Sequence, residues 1–183
     1  MYRKLHQHYP WYLELIPALI IAAGFLYTII SYPRLPDTIP TGLSISGKVT
    51  GFEPKGLFHA FYLPVVALIL YLVITWVSHR FLARPEEAGE NWGITAKQRK
   101  RISRQYLEAF RTRSIRLMFG AATCLVGATV TTSVMMTRIS LDLPVQGMLM
   151  LPWGFYAAAL FFAFSYYFQG RRVRQTIRDT LGR

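Results

Sequence analysis

The feature that most constrains this chain is the separation of its apolar residues from its charges. The apolar residues fall into four blocks of about twenty, and nearly all the ionic residues lie between them. A water-soluble domain would spread apolar positions along amphipathic elements. Runs of about 20 apolar residues free of charge match the length a helix needs to cross the roughly 30 Å hydrocarbon core. With 52% hydrophobic residues and a net charge of +12 in 183 residues, little is left for a water-soluble core once those blocks go to lipid. The sequence therefore predicts an all-α polytopic membrane protein, a single domain over 1–183. Its spans are 11–31, 57–78, 114–136 and 147–168, with outer loops 32–56 and 137–146, an inner loop 79–113 and a tail 169–183.

Orientation follows from the basic residues. Seventeen of the 21 Lys and Arg lie in the N-terminal segment, the 79–116 region and the tail; the other side holds Arg34, Lys48, Lys55 and Arg138. Basic excess marks the cytoplasmic side. The reading is a plasma-membrane protein with both termini and the long loop inside. The first apolar run is too long for a signal peptide and carries no convincing small-x-small cleavage site, so it is expected to be retained. Trp11, Trp76, Tyr166 and Tyr167 suit interfacial belts.

Chemistry-bearing residues are sparse. The one cysteine, Cys124, lies within an apolar block and reads as a small packing residue. His59 and His79 mark opposite ends of the second span, too far apart to share a metal, and His6 and His8 alone make a poor site. Glu14, the carboxylate inside a span, pairs with a basic residue or serves as a proton or ion relay. No metal, cofactor or catalytic motif is present in the sequence, and the chain reads as non-enzymatic. Small residues in the third span form two stripes, Gly120–Cys124–Ala128 and Thr123–Gly127–Thr131. They allow close helix packing, either inside the bundle or against another subunit or copy.

The outer loop reads YPRLPDTIPTGLSISGKVTGFEPKG. Its four prolines and four glycines preclude a long helix and predict an ordered but irregular lid. The run LPDTIP at Leu35–Pro40, then Gly47, Gly51 and Lys55, with Pro64 in the second span, resembles the membrane domain of SdpI-type bacteriocin immunity proteins. The resemblance covers roughly residues 15–78. Where that family commonly has a His-containing run, this chain has Thr41-Gly42-Leu43-Ser44. The resemblance implies an immunity or envelope-sensing role, with the loop recognising a toxin or other membrane protein. Pro36, Asp37, Pro40, Gly47 and Lys55 are the candidate partner-binding residues; turn formation, with Asp37 capping backbone amides, is their structural alternative.

On the inner side, Thr95–Arg113 carries Ile102, Tyr106 and Phe110 on one stripe of a basic helix. Lys97, Arg99, Lys100, Arg101 and Arg104 are expected to bind anionic lipid, each contributing about 1 kcal/mol. Docking of a cytoplasmic protein is the alternative. The aromatics do not interleave with the charges as a nucleic-acid platform needs. The tail repeats the scheme with Val173, Ile177 and Leu181 as an extension of the fourth span. An accessory subunit of a larger membrane complex or transporter is the second functional reading. A small transporter is disfavoured by the scarcity of buried polar groups.

Overall fold

A computed structural model describes residues 10–44, 48–78 and 104–181. A 3-10 turn at Trp11–Glu14 leads into helix α1 (Leu15–Ser31), and a second such turn, Tyr32–Arg34, leads out of it. Strands β1 (Thr38–Leu43) and β2 (Val49–Pro54) follow, then α2 (Leu57–Val77), α3 (Arg104–Ser140) and α4 (Met150–Leu181). The protein is mostly helical. Among the described residues, three segments are long and apolar enough to cross a membrane: Tyr12–Arg34, Leu57–Val77 and Thr112–Ser140. The α4 helix is not among them, because Pro152, Trp153, Tyr156, Tyr166, Tyr167 and Gln169 dilute its apolar run.

Helix α3 is the hub, with α1, α2, α4 and β1 all packing against it. It is buried on every side from Val126 to Val130, whereas α1 buries one stripe, Pro17, Ile21, Gly24, Thr28 and Ser31. The shared core of α1, α2 and α3 is Ile21, Ala67, Val126 and Val130, flanked by Ile20, Phe25, Tyr71 and Val134. Lipid is as apolar as leucine, so close van der Waals packing, rather than escape from water, must hold such helices together. Glycine makes that possible: a Cβ on Gly24 would stand 2.8 Å from Val130 Cγ1. One on Gly120 would meet the Phe162 ring at 2.9 Å, and one on Gly127 the Phe155 ring at 3.0 Å. Gly120 pairs with Phe162 and Gly127 with Phe155, seven residues apart on each helix, as antiparallel neighbours require. The two glycines of the third-span stripes thus pack inside the bundle, against α4.

Prolines fall where helices tolerate them. Pro17 and Pro152 occupy first turns, where the missing N–H had no partner. Among the described residues, only Pro64 interrupts a helix interior, and it is buried. At the end of α3, Asp142 takes φ 52°, Leu143 N–H donates to Arg138 O (2.9 Å) and Asp142 N–H to Ile139 O (3.1 Å). This is a Schellman stop built on aspartate rather than glycine. Arg138 fastens the exit by donating Nε and Nη2 to Pro144 O at 3.1 and 2.9 Å.

Three expectations change. The loop 32–56 is not irregular but an antiparallel hairpin pairing Thr38 with Pro54, Ile39 with Glu53, and Leu43 with Val49. Both strands of a two-stranded sheet are edges, so Pro40 and Pro54 need not donate to a second neighbour. Gly42 faces Gly51 where the register shifts, and their missing side chains make room for the hydroxyls of Thr50 and Thr41. Second, residues 104–113 are not a separate surface helix. They are the first turns of α3, because no proline or glycine breaks the chain between Arg104 and Gly120. Third, α3 continues past residue 136 to Ser140, so the second connection is 141–149. The segment 95–103 lies outside the described residues.

Candidate functional site

The hairpin is closed at its base by Lys55. Its backbone N–H donates to Asp37 O at 2.7 Å, and its ammonium donates to Leu35 O at 2.8 Å and sits 5.2 Å from the centre of the Tyr32 ring. Entry and exit of the loop are thereby bound together by a charge-assisted bond and a cation–π contact. Near the tip, Ser44 N–H donates to Lys48 O (2.8 Å) and Lys48 N–H to Ser44 Oγ (3.0 Å). Between these closures β1 turns inward. Ile39 is 4% exposed and Pro40 is buried, with β1 lying on α3 and touching α2. Strand β2 stays outside, with Phe52 65% exposed.

Beneath the hairpin, where α2 begins and α3 ends, lies a groove of about 250 Å³. Its apolar wall includes Leu35, Ile39, Leu63 and Met136; its polar residues are Thr41, Glu53, His59, Tyr62, Ser133, Thr137 and Ser140. His59 Nδ1 lies 3.1 Å from Pro54 O. A carbonyl only accepts, so Nδ1 carries the hydrogen, and in the neutral ring Nε2 is an acceptor. The hydroxyls toward the end of α3 differ in what they bond, while Ser114 Oγ, near its start, is buried without a partner among the described residues. Those of Thr129, Thr132 and Ser140 each donate to the carbonyl four residues back, at 2.9 Å. Ser133 and Thr137, 4% and 7% exposed, make no such bond and line the groove.

Of the residues singled out from the sequence, Lys55 and Asp37 meet at the hairpin base, Asp37 through its carbonyl while its side chain is exposed. Pro36 is exposed and Pro40 is buried in β1. Gly47, Lys97, Arg99, Lys100 and Arg101 lie outside the described residues, and Arg104 is the first residue of α3. Glu14 is partly buried in the turn before α1 and engaged in an interaction. Among the described residues, no three His, Cys, Asp or Glu side chains gather as a metal site. Sequence reasoning missed Glu53, Ser133 and Thr137. The signal for the last two was the four-residue spacing Thr129–Ser133–Thr137, running to the end of the third span.

Residues 19–68 match a family model, a domain of unknown function (DUF1648). The DUF1648 match begins within α1, covers the whole hairpin and ends within α2. It takes in Leu35, Ile39, Glu53, Lys55 and His59, the clasp and one wall of the groove; the α3 wall lies outside it. No curated protein and no solved structure matches the chain.

Proposed function

We propose that this chain is a non-enzymatic, four-span protein of a bacterial cytoplasmic membrane, with both termini and the basic loop inside. Its outward hairpin is the recognition surface for an extracytoplasmic toxin or partner protein, as in the SdpI-type immunity or envelope-sensing proteins it resembles. The observation that carries this reading is the hairpin itself: a short sheet, clasped at its base by Lys55, that buries Ile39 and presents Phe52 outward. A surface held in one shape loses less entropy on binding than a mobile loop. The distribution of basic residues supports the orientation, and the DUF1648 match centres on this hairpin. Four helices in alternating directions fit four crossings, with α4 returning the chain to the basic side.

In this reading Lys55 supports recognition, while Asp37 and Phe52 make it. Pro36 and Pro40 set the hairpin's entry. Lys97, Arg99, Lys100, Arg101 and Arg104 hold the inner face to anionic lipid. The test is protection or partner capture, normalised to protein abundance in the membrane, for Asp37→Ala and Phe52→Ala with Thr50→Ala as control. Reduced normalised activity in the first two supports recognition; unchanged normalised activity in both removes it. A second reading, an accessory subunit of a larger complex, draws on α4, which packs on α3 and exposes Phe161, Phe164 and Phe168. Co-purification of a stoichiometric partner, abolished by polar substitutions at those phenylalanines, would favour it.

A further inference from the structure

Two hydroxyls of α3 open into the groove instead of bonding their own helix, and polar side chains gathered on a cavity wall are what fixes a ligand's polar group. In helices, serine and threonine commonly bond the carbonyl one turn back, and Thr129, Thr131, Thr132 and Ser140 do so here. Ser133 and Thr137 lie among them on the same helix, more than nine-tenths buried, and both line the groove instead. The opposite wall carries a charge. Glu53 pairs across the sheet with Ile39, and directly opposed residues of an antiparallel pair project to the same face. Ile39 is buried against the bundle, so Glu53 also projects to the groove side, and it lines the groove. Next to it stands His59, its Nδ1 committed to Pro54 O and its Nε2 left to accept.

We infer that this groove binds a primary ammonium group attached to an apolar chain. An ammonium has three donors and no acceptor. The groove offers it a carboxylate, a ring nitrogen and two hydroxyl oxygens beside the apolar wall of Ile39 and Met136. Hydroxyls alone would suit almost any polar group; the carboxylate selects a cation. The acceptors come from different directions, from the hairpin, the start of α2 and the end of α3. That arrangement suits a compact ammonium better than a planar guanidinium. A volume of about 250 Å³ admits a head group with the first few carbons of its chain. The inference goes beyond the recognition role and does not rest on it, because an ammonium site would stand even if the hairpin bound no protein.

The test uses the full chain in nanodiscs of phosphatidylcholine, with binding of hexylammonium, hexyltrimethylammonium and hexanol measured by calorimetry. Saturable hexylammonium binding, at least about tenfold tighter than either control, is expected, because only hexylammonium has both charge and N–H donors. Glu53→Gln should weaken it about tenfold, and the pair Ser133→Ala with Thr137→Val by several fold. Glu53 is exposed, so its variant should keep the native melting temperature, and a variant that melts early is replaced by Glu53→Ala. Discs containing phosphatidylethanolamine separate two sources of the same chemistry. Competition by that lipid assigns the site to an amine head group, and unchanged binding assigns it to a soluble amine. Equal binding of hexylammonium and hexyltrimethylammonium, or full affinity in stably folded Glu53 variants, would overturn the inference.

Discussion

Replacing Lys55 with methionine keeps the stem of the side chain and removes its charge, so it isolates what the clasp contributes. Two interactions disappear: the 2.8 Å bond to Leu35 O and the 5.2 Å approach to the Tyr32 ring. A hydrogen bond from a charged donor is worth about 1.5–3 kcal/mol, and the half-buried position of Lys55 points to the lower end. The cation–π contact adds about 0.5 kcal/mol at a site this open. Together these give about 2 kcal/mol, or roughly 30-fold in the equilibrium between docked and released hairpin. The backbone bond from Lys55 N–H to Asp37 O and the burial of Ile39 survive the substitution, so the hairpin should loosen without unfolding. Hydrogen–deuterium exchange in nanodiscs reads this directly, because hairpin amides exchange through local opening. Amides of 38–43 and 49–55 should exchange about 30-fold faster in Lys55→Met, while those of α3 keep their protection. Lys48→Met, at the exposed end near the tip, should change nothing. Hairpin exchange within threefold of the native rate would show that the ammonium is not what holds the loop, and the reasoning above would fail.

The α3–α4 seam predicts that Gly120→Val and Gly127→Val each lower the melting temperature in detergent, by the equivalent of about 1–3 kcal/mol, as their side chains strike Phe162 and Phe155. Adding Phe162→Ala to Gly120→Val should recover part of the loss; no recovery would mean that these two residues do not face each other. Asp142, at φ 52°, predicts that Asp142→Gly leaves stability equal or raises it by up to about 1 kcal/mol, whereas Asp142→Val lowers it. A harmless valine there would contradict the left-handed stop.

The helices were legible because their signal is local: an apolar run of about 20 residues announces itself wherever it packs. The small-residue stripes of α3 were legible as an interface, but the sequence left open whether their partner was internal. Only Phe155 and Phe162, standing over Gly127 and Gly120, decide that. The hairpin was not legible. Pro40, Gly42, Gly51 and Pro54 are all residues that weaken a strand, and they occupy four of its twelve positions. What holds the strands is distant in sequence: Lys55 reaching back to Leu35, and β1 lying on the end of α3. The continuity of α3 was hidden for the opposite reason. Its charge changes abruptly near Ser114, but charge marks where a helix leaves lipid, not where it ends. Groove residues were missed because each is unremarkable alone; Glu53, His59 and Ser133 become a site when the hairpin folds down on α3.

The central claim is that the hairpin faces outward on a chain that crosses the membrane four times. Single cysteines test it directly, since Cys124 is the one native cysteine and can be replaced by serine. On that background, Lys48→Cys, Gly89→Cys and Gly182→Cys are treated in intact cells with a membrane-impermeant maleimide, and again after permeabilisation. The account predicts labelling at position 48 from outside, and at 89 and 182 only once the membrane is opened. Labelling of 182 from outside would show that α4 does not cross, and labelling of 48 and 89 from the same side would contradict the topology on which the recognition role stands.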